Sequence, residues 1–312
     1  MQPDHNATFT PIIKGLTPAD LSDAAALRAK LRVAVDGELE ICYAPLDHVN
    51  VGAKVVIVGI TPGHTQMVNA VVEYRRQLIA GAAPQNAMRS AKLTAAFSGA
   101  MRPNLIQLLD GIGLQEALGI ETCGDLFDAS STLAQTTSVL RNPVFLRGGN
   151  YNGTPNMVRH PLLRSQVLEF FAKDIASTPD AIFVPLGDRV AEALRWLASA
   201  GHLKHERIFD GLPHPSGANS ERIAYFLGRK SRSALSPKTN PDNLDRSREL
   251  LVGRVAGLRR HPAHRARAGV ASQLAPIADP ARQSRHHEGL LEESRHESAC
   301  KGQAKGDGTC QA

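Results

Sequence analysis

The sequence predicts an α/β fold with three layers, in which helices cover both faces of a mainly parallel central sheet. Residues 55–58 and 181–184 are short apolar runs ended by Gly59 and Pro185, and such runs are typical of strands buried on both faces. Each run is followed by a stretch with helical periodicity, over 66–80 and 188–199. Strands that alternate with helices indicate a parallel sheet.

The remaining elements follow from local signals. Thr17 and Pro18 predict the start of a helix, because threonine can cap a first turn and proline fits its first position. Short strands are predicted over 40–44 and 207–209, and further helices over 105–110 and 220–227.

The charge is unevenly distributed along the chain, and its excess of basic residues lies mostly in the last segment. The chain carries 36 basic and 30 acidic residues, of which 14 and 9 fall in 231–312. That segment has no aromatic residue and too few Leu, Ile and Val residues to offset the entropy of ordering it. We therefore predict a helical and strand extension over 1–50 that packs on the core, an α/β domain over 51–230, and a disordered or weakly helical basic tail over 231–312. Arginine clusters in this tail either attract phosphate or are solvated without a partner.

Cysteine spacing and apolar content exclude several classes of protein. The four cysteines form no Cys-x-x-Cys pair, which argues against a structural zinc site and against a disulfide scaffold. No apolar stretch approaches the roughly 20 residues of a membrane-spanning helix. The first residues also lack the basic and then apolar pattern of a signal peptide. We expect a cytoplasmic monomer with no metal, no cofactor and no membrane partner.

Two polar loops follow predicted strands, where open α/β sheets bind their ligands. The loop 59–66 contains two glycines and a proline, so its backbone can approach a ligand closely. The loop 211–220 runs into a helix whose first N–H groups favour an anion, and prolines restrict the backbone on both sides of His214. The hydrogen-bonding side chains of the first loop are Thr61, His64, Thr65 and Gln66.

These loops resemble the signature motifs of the uracil-DNA glycosylase superfamily. Residues 59–63, Gly-Ile-Thr-Pro-Gly, are similar to its Gly-x-[Asp/Asn/Ala]-Pro-[Tyr/Gly] loop, and residues 214–216, His-Pro-Ser, are similar to its [His/Asn]-Pro-[Ser/Ala] loop. Weaker similarities lie between them in the family's order, at 97–114, 137–140 and 184–191. The resemblance covers about 52–230 and implies a uracil-DNA glycosylase-like fold.

The resemblance implies a DNA glycosylase of base excision repair, which hydrolyses the N-glycosidic bond of uracil or a related damaged base flipped out of DNA. His214 would lie by the uracil O2 and stabilise negative charge on the departing base, and Thr61 would take the position that orients the attacking water. Phe97 would stack on the base, and Ser138 would read its edge. The other residues assigned to base or DNA binding are Gly59, Ile60, Pro62, Gly63, His64, Gln66, Pro215, Ser216, Gly217, Ala218 and Asn219.

Two alternative functions stay open at this point. Thr61 and Ser138 replace chemical groups that the family uses, which favours a catalytically weak or inactive protein of the same fold that binds nucleic acid or a modified base. Ser216 and His214 raise the third possibility of a small-molecule hydrolase. That possibility is weaker, because the two residues share one turn and no Gly-x-Ser-x-Gly elbow surrounds the serine.

Overall fold

Helices and strands alternate along most of the chain in the computed structural model, which describes residues 4–96, 101–128 and 131–260. Within these residues, no helix is both long enough and apolar enough to cross a membrane. The strands are β1 Arg32–Asp36, β2 Leu39–Cys42, β3 Val55–Gly59, β4 Ala134–Ser138, β5 Val144–Leu146, β6 Gly149–Asn150 and β7 Ile182–Pro185. The helices are α1 His5–Gly15, α2 Pro18–Ser22, α3 Ala24–Lys30, α4 His64–Ile79, α5 Pro84–Ala95, α6 Met101–Asp110, α7 Leu114–Leu118, α8 Pro161–Gln166, α9 Ala172–Ala176, α10 Asp188–Ser199, α11 Ser220–Phe226 and α12 Pro241–Arg260.

A parallel three-stranded sheet in the order β4-β3-β7 forms the centre of the fold. Successive side chains of β3 point to opposite faces, as the geometry of a strand requires. Val55 and Ile57 pack in an apolar cluster with α6, α7 and α11, whereas Val56 and Val58 pack in another with α8, α9 and α10. Helices therefore cover both faces of the sheet, and the predicted α/β class is confirmed at this level.

The strand predicted over 207–209 is reduced to a single bridge beside β7. Ile208 pairs in parallel with Phe183, and the N–H of Phe209 donates to the Phe183 carbonyl at 2.8 Å. The N–H of Arg207 instead donates to the Lys204 carbonyl in a short 3₁₀ turn, which ends the pairing.

A second sheet, which the sequence analysis did not predict, is antiparallel in the order β1-β2-β5-β6. Its strand β2 corresponds to the strand predicted over 40–44. The N-terminal segment packs beside it, since Phe9 and Ile13 of α1 share an apolar cluster with Cys42 of β2 and Phe145 of β5.

The folded part of the chain extends further than the predicted boundary at 231. Residues 231–260 were expected to belong to a disordered or weakly helical tail, yet α12 occupies 241–260 and buries Leu251 and Val255 against α11 and the sheet. The segment before it is also held, because the Glu221 carboxylate accepts hydrogen bonds from the hydroxyls of Ser236 and Thr239, each at 2.6 Å. The tail prediction was therefore wrong for 231–260, and its remainder, 261–312, lies outside the described residues.

Candidate functional site

A cavity of about 260 Å³ lies at the carboxyl ends of β3, β4 and β7. The chain adds β4 on one side of β3 and β7 on the other, so the direction of strand addition reverses beside β3. Open α/β sheets bind ligands at such a switch point. Eight of the predicted site residues line this cavity, which therefore brings both loops together: Gly59, Ile60, Thr61, Pro62, Gly63, Gln66, Ser138 and His214.

The other predicted residues that the structure describes do not line this cavity. The side chain of His64 packs edge-on against Phe145, with 6.5 Å between ring centroids. Residues 215–219 form the turn behind His214 and the 3₁₀ segment that precedes α11. Phe97 lies outside the described residues, although its neighbours Ala95 and Ala96 line the cavity.

The His214 imidazole is fixed in one tautomer by its own turn. The Ser216 N–H points at Nδ1 at 3.2 Å, so Nδ1 is an acceptor and the proton of the neutral ring is on Nε2. Burial lowers the pKa of His214, which favours this neutral form. The turn is itself anchored, because Nδ2 of Asn104 donates to the Pro215 carbonyl at 2.8 Å. His214 therefore offers the cavity a hydrogen-bond donor and no full charge.

A glycine in a left-handed backbone conformation lies beside the ring. Gly187 follows β7 at φ +96°, a conformation that L side chains rarely adopt. A Cβ placed on it would lie 3.4 Å from Cδ2 of His214. The segment 184–191, which carries one of the weaker similarities, is thus next to the imidazole.

The Thr61 hydroxyl is engaged with the backbone of a neighbouring segment. Its Oγ1 donates to the carbonyl of Asn142 at 3.1 Å and accepts the N–H of Val144 at 3.0 Å, and both of those residues are buried. The hydroxyl proton is therefore committed to a carbonyl, and the side chain ties the loop after β3 to β5. A role for Thr61 in orienting a water molecule stays a prediction that these contacts do not test.

The first turn of α4 is capped from two sides. Oε1 of Gln66 accepts the N–H of Gly63 at 2.8 Å, and Oδ1 of Asn150 accepts the N–H of His64 at 2.9 Å. Gln66 and Asn150 both line the cavity. Because their oxygens are used in these caps, their amide NH₂ groups are the atoms left to meet a ligand.

Comparison with known proteins identifies a family. The chain is 34% identical over 218 residues to the uncharacterized protein YoxB of Bacillus subtilis (strain 168), and the match covers 69% of this chain and 85% of that protein. The chain belongs to the YoxB family. No protein-family model and no solved structure matches it.

In this YoxB-family chain, two cations that the sequence analysis missed line the cavity. Lys92 of α5 is 7% exposed and donates to the carbonyl of His48, and burial lowers its pKa to about 8. Arg141 lies 3.1 Å from Asp174 and 3.6 Å from Asp47, measured between guanidinium nitrogen and carboxylate oxygen. Neither cation belongs to a recognisable motif, since Lys92 lies on the alanine-rich buried face of its helix and Arg141 lies in an irregular segment.

Most of the cavity wall in the YoxB-family chain is apolar, and the polar groups set into it are mainly donors and hydroxyls. Among the described residues that line it there is no Asp or Glu, and no group of three or more metal-ligating side chains occurs in the described part of the chain. The Thr137 hydroxyl, in a residue that is 8% exposed, has no hydrogen-bond partner within that part. Such a lining suits a ligand with several acceptor atoms or with developing negative charge.

Proposed function

We propose that this YoxB-family protein is a DNA glycosylase with a uracil-DNA glycosylase-like fold, which hydrolyses the N-glycosidic bond of uracil or a related damaged base. One observation carries the proposal: the loop of Thr61, the end of β4 at Ser138 and the turn of His214 meet at one cavity. These three segments are the ones that the sequence resemblance assigns to the base and its reaction. A cavity of this kind accepts an extruded base, because the glycosidic bond is inaccessible inside a duplex.

The proposed chemistry depends on the leaving base. As the bond between the sugar C1′ and the base nitrogen breaks, its electron pair stays with the base, and Nε2–H of His214 donates to the resulting oxyanion. A water oxygen then bonds to C1′, and the proton that this water loses is taken up by the base anion, which gives an abasic sugar and the neutral free base. Since no described carboxylate lines the cavity to activate that water, we expect slow turnover.

A uracil-containing single-stranded oligonucleotide, treated with purified protein and then with alkali, tests this function. We expect strand cleavage at the uracil with the wild type and a loss of 10²-fold or more with His214→Ala, which is about the value of one oxyanion donor. His202→Ala removes an exposed imidazole on another loop and is the matched control. Equal rates for both variants, or no abasic product at excess wild-type protein, would rule out the proposal.

The second candidate is a protein of the same fold that binds a base or nucleic acid without cutting it. It is favoured by the Thr61 hydroxyl, whose proton is already donated to the Asn142 carbonyl. Fluorescence anisotropy of a labelled oligonucleotide, followed over a range of salt concentrations, separates the two. Salt-dependent binding without any abasic product would support this candidate, and no binding at low salt would count against both.

A further inference from the structure

A second cavity, of about 330 Å³, lies along the outer edge of β4. It shares Lys92, Ala96 and Thr136 with the first cavity, so the two are separated by a common wall. Nδ2 of Asn50 donates to the carbonyls of Thr132 and Ala134, at 2.9 and 3.0 Å, and so covers part of the strand's edge. None of the described residues to which the resemblance gives a role in base or DNA binding lines this second cavity.

Cations of two helices converge on the second cavity. Arg89 and Lys92 lie one turn apart on α5, and Arg102 lies on α6, whereas Asp128 supplies the one carboxylate among the described lining residues. The pKa of the neighbouring His48 is affected by the same excess of positive charge. Burial lowers its pKa, and Lys92 and Arg89 lower it further.

Arg102 is held in place with a donor to spare. Its guanidinium carbon lies 5.3 Å from the centre of the Phe127 ring, and its Nη2 donates to the Ala96 carbonyl at 2.7 Å. Its Nε is buried and has no acceptor among the described residues. A buried donor on a cation is costly to leave unpaired, and a ligand or a water molecule in the adjoining cavity would supply the acceptor.

We propose that the second cavity is a phosphate-binding site, built from Arg89, Lys92 and Arg102. A phosphate group fits the chemistry because it offers several acceptor oxygens and negative charge to cations in a partly buried setting. The phosphate comes either from a DNA strand or from a free phosphorylated molecule. The assignment to a DNA strand rests on the proposed function, whereas the assignment to a free phosphorylated molecule does not. In the first case, the phosphate belongs to the strand whose base enters the first cavity, on the other side of the shared wall.

The strand source is tested by the salt dependence of oligonucleotide binding. The double variant Arg89→Gln/Arg102→Gln is compared with Arg159→Gln/Arg164→Gln, which removes two exposed arginines on another part of the surface. Each lost phosphate contact reduces the slope of log K against log salt by about 0.7 for a single strand. We therefore expect the slope to fall by roughly 0.7–1.4 in Arg89→Gln/Arg102→Gln, the cavity variant, and not in the control variant. Arg102→Lys, which keeps the charge, should recover part of the affinity, and unchanged thermal unfolding would show that the double variant is folded.

The free-phosphate source is tested by calorimetric titration with inorganic phosphate and with a deoxynucleoside monophosphate. Binding to the wild type and the control, with a loss of tenfold or more in the cavity variant, supports the site. If phosphate binding is lost while the oligonucleotide slope does not change, the strand source is wrong. If neither measurement distinguishes the cavity variant from the control, the phosphate site itself is wrong. Because neither measurement needs base excision, a protein that produces no abasic sites would refute the glycosylase while leaving this result intact.

Discussion

Replacing Thr61 by valine removes one hydroxyl and leaves the shape of the side chain almost unchanged. In the structure this hydroxyl joins the loop after β3 to the carbonyl of Asn142 and the N–H of Val144. Asn142 is 3% exposed and Val144 is fully buried, so water cannot easily replace the lost bonds. We expect Thr61→Val to be destabilising because it leaves two buried backbone groups unpaired.

The magnitude follows from the cost of unpaired groups. One buried donor or acceptor without a partner costs about 1–3 kcal/mol, so two should lower the free energy of unfolding by roughly 2–6 kcal/mol. With a urea dependence of about 3 kcal/mol per molar, the midpoint of unfolding falls by roughly 0.7–2 M. Thr61→Ser keeps the hydroxyl and should lose much less, which makes it the matched control.

Urea unfolding followed by circular dichroism measures the stability, and the oligonucleotide assay measures activity under conditions where both variants are folded. If Thr61 shapes the loop, the stability of Thr61→Val falls and its residual activity changes only a few-fold. If instead Thr61→Val unfolds at the same urea concentration as the wild type but loses activity, a purely structural role for the hydroxyl is refuted. The hydroxyl would then act on the water, as the sequence resemblance implies.

Three further predictions concern burial and protonation. Leu251→Ala in α12 should cost about 2–5 kcal/mol in urea unfolding, whereas Leu250→Ala, at a position 59% exposed, should cost less than about 0.5 kcal/mol. Burial holds the pKa of His214 below its ordinary value of 6.5, so the unfolded chain takes up a proton there while the folded protein does not. The free energy of unfolding should therefore decrease as the pH falls through that value, and should decrease less in His214→Asn. Burial also lowers the pKa of Lys92 to about 8 from 10.5. Unfolding experiments between pH 8 and 10.5 should show stability that rises with pH in the wild type and rises less in Lys92→Met.

The elements predicted correctly from the sequence are those fixed by local pattern. The apolar runs at 55–58 and 181–184 are strands β3 and β7, because β-branched and apolar residues in short runs favour burial on both faces. Thr17 and Asp20 form the predicted helix start as a capping box. That helix nevertheless stops after five residues, since Asp23 caps a new helix with its own side chain.

The prediction made from composition was wrong where the average over a long segment concealed a local spacing of apolar residues. Over 231–312 the apolar content is low, but Leu244, Leu251, Val255 and Leu258 are spaced so that one face of α12 is apolar. A helical window over 241–260 alone would have predicted that face. Lys92 and Arg141 could not have been predicted in the same way, because their place in the cavity depends on acids and carbonyls distant in sequence.

Two features of the site that depart from the resemblance bear on how the proposed base excision would proceed. Thr61 gives its proton to a buried carbonyl, and no described carboxylate lines the cavity, so nothing described there is suited to activate water as a base. The groups that remain are the Nε2–H of His214 and the nearby cations. They stabilise negative charge on the departing base rather than on the attacking water. Activity of this kind should depend strongly on the stability of the departing anion. Bases whose nitrogen carries negative charge more easily should therefore be excised faster, and a rate that is insensitive to the leaving base would show that the attack of water limits the reaction.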